Sequence, residues 1–438
     1  MSPGCQAPGR CSSSHAPTRF DVGDRRVGRR SGHGTTVYLP GMTMIRGTVA
    51  DGFEPVRAAF EANFQHHGEL GAGVAVYVDG ELVVDLVGGL ANAEEGTPYA
   101  HDTLQLVFST TKGAAAMCAH LLAQRGELDL EAPVTDVWPE YGAAGKDATT
   151  VAMLLDHQAG VPVVDDPPTL EEVLRVEPIV EALAAQAPLW EPGSGHGYHA
   201  LTYGWLVGEV VRRVDGRSLG RFFAEEIAEP LGIDFWIGLP DEEQQRVAPL
   251  VATRPSAADF DPLSLDPEVL PLLQDMAAAF LDPRSTTNRA LMLDGRFLLG
   301  AGQMAWNRPD VRASEIPAAN GVTTARSLAK LYAACIGEVD GVRLLDEGTL
   351  ATATTERSSG PDRVLIVPTR FGLGFMLPST FSPLMGGRSF GHPGAGGSLG
   401  FGDPEHGVGF GYVMTKMSAG LSNDPRTRGL IDALRRCL

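Results

Sequence analysis

The chain has 438 residues, of which 43% are hydrophobic and 20% charged, and its net charge at pH 7 is −19. This composition is typical of a folded globular protein, and the length allows one large domain with an insertion or two to three ordinary domains. The acidic excess repels phosphate backbones and anionic lipid, so nucleic acid and membrane surfaces are not expected as partners. The sequence has no run of about 18 apolar residues, so no membrane-spanning helix is expected.

Residues 1–44 differ in composition from the rest of the chain, with six Arg, no Lys and two Asp. They contain no apolar stretch of the kind that follows the basic residues of a secretory signal. We therefore predict either a disordered extension or an upstream translation start, with Met42 or Met44 as the true beginning.

The cysteines are too scattered to form a metal-binding motif. An odd number without a CxxC pair or a Cys/His cluster favours reduced thiols in a cytoplasmic protein. The sequence also lacks a dinucleotide fingerprint and a P-loop, so we expect no metal and no cofactor. The five cysteines are Cys5, Cys11, Cys118, Cys335 and Cys437.

The first folded part of the chain predicts a helix and then a hairpin. Residues 53–67 have helical periodicity. Residues 71–92 alternate in hydrophobicity on both sides of Asp79-Gly80, a typical hairpin turn.

The middle of the chain is mostly helical. An Ala-rich segment at 110–125 and a longer segment at 201–232 both have the composition of helices. Residues 255–315 are richer in Pro and Asp, and they predict an irregular, lid-like segment or a long connection.

Strand signals return near the end of the chain, after a helical segment at 324–339. Residues 398–416 predict an antiparallel pair around a turn at Asp403–Gly407, and residues 426–438 predict a closing helix.

This order of elements predicts an α/β (α+β) fold. An antiparallel sheet flanked by helices would be built from the N- and C-terminal segments, with a mainly helical domain inserted between them. The predicted boundaries are 45–112 together with 316–438 for the α/β domain and 113–315 for the helical domain, which ends in the lid-like segment 255–315.

Two serines compete for the role of a nucleophile. The pentad "GGSLG" at 396–400 fits G-x-S-x-G, but an esterase elbow needs a helix directly after its serine. Strand and turn signals follow Ser398 instead. The only acid and histidine in the required order, Asp403 and His406, fall within the next tight turn. We therefore do not assign Ser398 as the nucleophile.

Ser109 has the better context, because "LVFSTTKGAAAMC" combines an apolar extended run with the start of an Ala-rich helix. At a helix N-terminus, free backbone N–H groups and the positive dipole end favour a developing alkoxide. Lys112 lies on the same helix face, three residues on. If it is buried, Lys112 loses proton affinity and its neutral amine can take the proton of Ser109.

The S-x-x-K pattern alone is weak, because Ser327–Lys330 repeats it inside an amphipathic helix. Two further segments support the first copy. In "WEPGSGHGYHALTYG", Tyr198 follows a Pro-Gly turn at 192–193. In "GHPGAGG", His392 begins a glycine-rich stretch before the last strand pair.

In this order, Ser109–Lys112, Tyr198 and His392–Gly394 resemble the S-x-x-K, Y-x-N and K-T-G motifs of serine β-lactamase-like proteins. The spacings are similar to those of class C β-lactamases, penicillin-binding-protein-like D-amino-acid peptidases and family VIII carboxylesterases. The resemblance covers roughly residues 45–435. It extends to "LLDHQAGVP" at 154–162 and to "ANGVTTARSLAKLY" at 319–332, where it makes the second lysine a structural element of a helix.

The resemblance implies a role for each matching residue. Ser109 would be the nucleophile that forms an acyl-enzyme, and Lys112 and Tyr198 would share general base and acid work, with Tyr198 either ionised or relaying a proton. The backbone N–H groups of Ser109 and Ala395 would form the oxyanion hole. His392 and Gly394 would bind substrate, although a merely packed His392 stays an alternative. No metal site is implied.

Two departures from the motifs bear on the substrate. Ala200 stands where Y-x-N has its amide, and His392 stands where K-T-G has its lysine. Both changes argue against efficient β-lactam hydrolysis and are closer to the esterase and peptidase relatives.

The predicted function is that of a serine hydrolase, first of all a carboxylesterase acting on short-chain acyl esters in the cytoplasm. The alternatives on the same scaffold are an acyltransferase, an amide or D-amino-acid peptidase, and a weak β-lactamase. A non-catalytic ligand-binding relative is the alternative from another class. The expected partner is a small-molecule ester or amide, and the sequence carries no signal for an oligomeric state.

Overall fold

The computed structural model describes residues 44–252, 270–298 and 304–438. The predicted N-terminal extension up to residue 43, with Cys5, Cys11 and Met42, lies outside the described residues, as do parts of the predicted lid-like segment. The strands are β1 (Ile45–Val49), β2 (Gly71–Val78), β3 (Glu81–Asn92), β4 (Thr97–Pro98), β5 (Gln105–Leu106), β6 (Phe235–Trp236), β7 (Val322–Thr323), β8 (Ser358–Pro361), β9 (Pro368–Phe371), β10 (Phe390–Pro393), β11 (Leu399–Asp403) and β12 (Val408–Met414). The helices are α1 (Glu54–His66), α2 (Thr111–Gln124), α3 (Val151–Leu155), α4 (Leu170–Val173), α5 (Glu177–Ala185), α6 (Thr202–Asp215), α7 (Leu219–Phe223), α8 (Glu229–Leu231), α9 (Leu270–Leu281), α10 (Thr286–Met292), α11 (Pro309–Ala313), α12 (Ala325–Ile336), α13 (Glu347–Thr354) and α14 (Pro425–Arg435).

The main sheet combines the two ends of the chain. Its strands run antiparallel in the order β1-β3-β2-β12-β11-β10, and the short β4 pairs with β3. The central pairing of β2 with β12 joins the N-terminal hairpin to the C-terminal strands. The predicted fold, an antiparallel sheet flanked by helices, is therefore confirmed.

Both predicted turns of this sheet are present. Asp79 and Gly80 have φ values of 48° and 84°, the left-handed pair that a two-residue hairpin turn requires. At the other hairpin, the Asp403 carboxylate accepts the backbone N–H groups of Glu405 and His406 at 3.1 and 3.0 Å. These bonds close the turn between β11 and β12.

The two faces of the sheet pack against different helices. Along β2, Val74 and Val76 belong to the core that contains residues of α1 and α14. The alternate residues, Ala75 and Tyr77, belong to the core shared with α12 and the helical middle of the chain. Alternation in this strand thus produces three layers, with the sheet between two sets of helices.

Glycines on β12 allow α12 to lie directly on the sheet. A Cβ added at Gly409 would lie 2.5 Å from the carbonyl oxygen of Ala329 and from the amide nitrogen of Ala333. A Cβ at Gly411 would lie 2.3 Å from the carbonyl oxygen of Ala325. The alternating "VGFGYVM" therefore reflects close helix–sheet contact on one face and apolar burial on the other.

The described part of segment 255–315 contains helices α9, α10 and α11. Leu272, Leu273 and Met276 of α9 are partly buried against a cluster that also contains Tyr198. Across the described ranges, no helix combines the length and the apolar character needed to cross a bilayer.

Candidate active site

Ser109 lies in the short turn that joins strand β5 to helix α2. Residues Phe108–Thr110 form one turn of 3-10 helix before α2 begins at Thr111. Phe108 has a φ of 45°, a left-handed conformation that is strained for a residue with a side chain. The Thr111 hydroxyl holds this bend by donating to the Phe108 carbonyl at 2.5 Å. Ser109 stays partly exposed, whereas its two neighbours are buried.

Lys112 is fully buried on the first turn of α2, and its Nζ lies 3.2 Å from Oγ of Ser109. Nζ also donates to the carbonyl oxygens of Ala200 at 2.7 Å and Ala318 at 3.1 Å. Burial lowers the pKa of Lys112 well below its usual value, because the charged ammonium loses its hydration. A neutral amine has two N–H groups for the two carbonyls and one lone pair for the Ser109 hydroxyl.

Tyr198 reaches the same point from the loop before α6. Its ring centroid lies 4.6 Å from Nζ of Lys112, and the Ser109 side chain is near enough to its hydroxyl to lower the pKa of Tyr198, against the larger effect of burial. Burial raises the pKa of Tyr198 above its usual value, so the phenol keeps its proton at neutral pH. The structure thus brings Ser109, Lys112 and Tyr198 together around one hydroxyl.

His392 stands at the other side of Tyr198, near the end of β10. Its Nδ1 donates to the Pro393 carbonyl at 2.7 Å, so Nε2 carries the lone pair. Nε2 lies 3.5 Å from the Tyr198 hydroxyl, a long contact in which the phenol is the donor. Burial, followed by the nearby Lys112, lowers the pKa of His392 to about 3. The imidazole is therefore neutral at physiological pH.

Gly394 and Ala395 continue from His392 into the turn between β10 and β11. A Cβ at Gly394 would lie 2.2 Å from the carbonyl oxygen of Val107, which shows how closely this turn approaches the Ser109 turn. Ala395 is partly exposed. Within the described residues, its backbone N–H meets no acceptor.

Ser398 is a buried structural side chain. Its hydroxyl donates to the Val107 carbonyl at 2.8 Å and shares a hydrogen bond of 3.2 Å with Thr110. Asp403, the last residue of β11, and His406 hydrogen-bond to each other at 3.0 Å in the next turn. The pentad therefore ties the β10–β11 turn to the Ser109 turn and provides no nucleophile with a base.

The second S-x-x-K lies within α12 and also has structural partners. Ser327 shares a hydrogen bond of 2.9 Å with Thr324, the N-cap of the helix. Lys330 donates to the Leu231 carbonyl at 2.6 Å and pairs with Asp340 at 2.7 Å.

Two supporting residues were not identified from the sequence. Asp362 accepts the backbone N–H of Tyr198 at 3.0 Å and those of Val364 and Leu365 at 2.8 Å, which fixes the tyrosine's backbone. An aspartate in a Pro-rich loop caps turns in many proteins, so "SGPDRVL" gives no signal for this contact. His157 is the second, and it lies within segment 154–162, which resembles the family.

The imidazole of His157 packs against the ring of Tyr198. The two ring centroids are 5.0 Å apart, and the Phe371 ring meets the imidazole edge-on at 4.5 Å. Nδ1 of His157 accepts the backbone N–H of His199 at 3.1 Å. Burial lowers the pKa of His157 well below its usual value, so this contact surface is uncharged.

Comparisons with known proteins establish the family of the chain. The chain matches the family model described as Beta-lactamase over residues 56–434. It is 36% identical over 374 residues to "Esterase/beta-lactamase LipL" of Mycobacterium tuberculosis, covering 83% of this chain and 81% of that protein. It is 37% identical to a solved family VIII carboxylesterase, with a TM-score of 0.77 over 90% of this chain and 100% of that one. A solved penicillin-binding protein homolog from Caulobacter crescentus is 41% identical, with a TM-score of 0.76 and coverage of 90% and 100%. This chain therefore belongs to the beta-lactamase family and is a serine hydrolase.

Proposed function

We propose that the chain is a carboxylesterase that hydrolyses short-chain acyl esters through an acyl-enzyme on Ser109. The proposal rests mainly on the position of Lys112. The fully buried Lys112 places its Nζ 3.2 Å from the Ser109 hydroxyl, in surroundings that favour the neutral amine. A neutral amine at that distance is a general base for a serine nucleophile.

Acylation begins when Oγ of Ser109 attacks the ester carbonyl carbon and passes its proton to Nζ of Lys112. The backbone N–H groups of Ser109 and Ala395 stabilise the oxyanion of the tetrahedral intermediate. Collapse expels the alkoxide, which takes the phenol proton of Tyr198, and Tyr198 regains a proton from the Lys112 ammonium. The free alcohol leaves, and the acyl group stays on Ser109.

Deacylation repeats these transfers with water. A water molecule attacks the acyl carbon and passes one proton through the Tyr198 hydroxyl to Nζ of Lys112. The bond between the acyl carbon and Oγ then breaks, Oγ of Ser109 takes the proton back from the Lys112 ammonium, and the acid is released. The raised pKa of Tyr198 favours the relay over a standing tyrosinate, because ionising the buried phenol would be costly.

The charge of the site supports an ester over a β-lactam as the substrate. His392 is neutral and its Nδ1 is held by Pro393, so it offers no cation to a substrate carboxylate. The other departure, Ala200, contributes only its carbonyl, which holds Lys112. A neutral acyl ester needs neither the cation nor the missing amide. The resemblance to the Mycobacterium tuberculosis esterase and to the family VIII carboxylesterase supports the same choice.

The alternative functions differ in the molecule that accepts the acyl group from Ser109 or in the kind of substrate that donates it. Acyl transfer and amide or D-amino-acid peptide cleavage use the same Ser109 acyl-enzyme, as does weak β-lactamase activity. A non-catalytic binding protein would have no need for a buried base against Ser109. The cytoplasm stays the expected compartment, because the described Cys118, Cys335 and Cys437 are free thiols.

Turnover of p-nitrophenyl acetate and butyrate, beside a chromogenic cephalosporin, tests the proposal. Wild type should hydrolyse both esters far faster than the cephalosporin, and mass spectrometry should find the acyl group on Ser109. Ser109→Ala should abolish turnover, and Ser398→Ala, the matched control, should retain it. If Ser109→Ala stays active, the nucleophile is wrong. Release that accelerates only with an added alcohol or amine would indicate an acyltransferase, and failure of a fluorophosphonate to label Ser109 would favour a binding protein.

A further inference from the structure

Arg426, in the first turn of α14, is a buried cation behind the β10–β11 turn. It is 3% exposed, and its guanidinium is surrounded by acceptors. Burial opposes the charge, yet the surrounding acidic groups raise the pKa of Arg426 further above its usual value. The bonds run to Glu69 Oε2 (2.8 Å), Asp424 Oδ1 and Oδ2 (3.0 and 2.7 Å), the Lys416 carbonyl (2.8 Å) and the Gly396 carbonyl (2.6 Å).

The bond to Gly396 connects this network to the catalytic centre. Gly396 directly follows Ala395, whose N–H faces the oxyanion in the proposed function. On the other side of Ala395, the N–H of Gly394 donates to the Ser398 carbonyl at 2.7 Å. The backbone is thus held on both sides of Ala395. Gly394 is held by the Ser398 carbonyl. The Gly396 carbonyl accepts from Arg426 and, at 2.9 Å, from the Ser418 N–H, so Arg426 is its one side-chain donor among the described residues.

The turn is shaped to receive the guanidinium. Gly396 and Gly397 have φ values of 86° and 124°, which residues with side chains rarely adopt. A Cβ at Gly397 would lie 2.4 Å from Nη2 of Arg426 and 2.6 Å from Oδ2 of Asp424. The glycine backbone therefore packs directly on the ion pair.

A buried ion pair is a costly way to fill space, since desolvation offsets much of the attraction. The advantage of this ion pair is that it fixes the orientation of the groups it binds. Five acceptors fix one planar guanidinium, and the guanidinium in turn fixes the Gly396 carbonyl. A preorganised N–H is what an oxyanion hole requires, because a donor that must reorient loses most of its effect.

We propose that Arg426 is a positioning residue that aims the Ala395 N–H at the oxyanion by holding the Gly396 carbonyl. The proposal rests on the esterase function of Ser109. Arg426 touches no substrate, and it acts only through the geometry of the turn.

Arg426→Lys is the direct test, because it keeps the positive charge between Glu69 and Asp424 but cannot reach all five acceptors. The matched control is Arg435→Lys on the same helix, where Arg435 donates to the Met385 carbonyl at 2.8 Å and pairs with Asp432. Both proteins should be folded by circular dichroism. For p-nitrophenyl acetate, Arg426→Lys should lower kcat roughly 10- to 100-fold with little change in KM, as expected for a misaimed oxyanion donor. Arg435→Lys should retain kcat.

The ratio of ester to thionoester turnover distinguishes a positioning role from a merely structural one, because a merely structural role would leave this ratio unchanged. Sulfur is a weak hydrogen-bond acceptor, so replacing the carbonyl oxygen by sulfur removes most of the benefit of the oxyanion hole. Wild type should prefer the p-nitrophenyl ester over its thiono analogue, and Arg426→Lys should shrink that preference. Asp424→Asn, which loosens the guanidinium from one side, should shrink it less.

The outcomes separate this proposal from the proposed function. An unchanged kcat and an unchanged ester-to-thionoester ratio in folded Arg426→Lys would overturn the positioning role while leaving the Ser109 esterase intact. If Arg426→Lys does not fold, an unchanged ratio in Asp424→Asn overturns it instead. Activity that survives Ser109→Ala would refute the esterase assignment first.

Discussion

Two lysines in this chain stand three residues after a serine, and only their surroundings distinguish them. Lys112 is fully buried and has no carboxylate partner among the residues that the structure describes, whereas Lys330 is partly exposed and pairs with Asp340 at 2.7 Å. Lys112→Met should therefore lower kcat/KM for p-nitrophenyl acetate by about 100- to 10,000-fold, the usual contribution of a general base. Lys330→Met, the matched control, should retain activity. Equal losses in the two folded variants would contradict the assignment of Lys112 as the base.

The same burial predicts how activity depends on pH. Lys112 acts as a base only when it is neutral, so kcat/KM should fall as the pH is lowered through its depressed pKa. The pKa of His392 is lowered to about 3, by burial and then by Lys112, so this imidazole is already neutral above that range. His392→Gln should therefore leave the midpoint of the acid limb unchanged. A midpoint that disappears in His392→Gln would identify a histidine as the titrating group.

For single residues, the sequence identifies candidates where the type of side chain determines the chemistry. Ser109, Lys112 and Tyr198 meet around one hydroxyl, as the motifs implied, although their catalytic roles stay predictions. Asp362 and Arg426 could not be identified, because each acts through a backbone contact with a residue that is distant in the sequence. No local pattern encodes such a contact.

The packing of α12 on β12 gives a prediction about elements. A Cβ at Gly409 would lie 2.5 Å from backbone atoms of Ala329 and Ala333, which cannot move without shifting the helix. Gly409→Ala should therefore lower the free energy of unfolding by about 1–3 kcal/mol, the range for overpacking a core. Gly429, inside α14, has no atom within 4 Å of an added Cβ. Gly429→Ala should raise stability by up to about 1 kcal/mol through helix propensity.

Chemical denaturation of the two alanine variants measures both changes. An equal effect of the two substitutions would show that backbone entropy, and not the helix–sheet contact, sets the cost at Gly409. The sequence indicated that "VGFGYVM" is a strand, because its apolar residues alternate. It could not indicate that its glycines face a helix, since that depends on α12, which lies about 80 residues earlier in the chain.

The Ser398 side chain connects the β10–β11 turn to the turn that carries Ser109. Ser398→Ala leaves the buried Thr110 hydroxyl without a partner among the described residues, whereas the Val107 carbonyl keeps the Thr110 N–H at 3.2 Å. The expected loss of unfolding free energy is about 1–3 kcal/mol, the cost of an unsatisfied buried group. Ser359→Ala, at an exposed position on β8, should change stability by less than about 0.5 kcal/mol. Comparable losses in both variants would contradict the role given to Ser398.

At the scale of the whole molecule, the predicted assembly of one sheet from both chain ends is confirmed, and its cause is visible in the core. One continuous apolar cluster contains Ala75 of β2, Val413 of β12, and residues of α2, α6 and α12. The sequence suggested the sheet because strand signals occur at both ends. It did not suggest that the helical middle shares a core with the sheet, because periodicity reports which face is buried and not what covers it.

This shared core predicts that the described helices and the sheet unfold together. Trp138 and Trp205 are each 1% exposed and report on the helical middle, while esterase turnover needs Ser109, Tyr198 and the strand that carries His392. Because apolar contacts cross between the helices and the sheet, loss of tryptophan burial, of far-ultraviolet circular dichroism and of activity should share one urea midpoint. A helical middle that folds as a separate unit would instead divide the loss of circular dichroism into two steps, and the step at lower urea would coincide with the tryptophan transition and the loss of activity. Trp205→Phe, which keeps an apolar ring at the same position, would then show whether Trp205 contributes to that early transition.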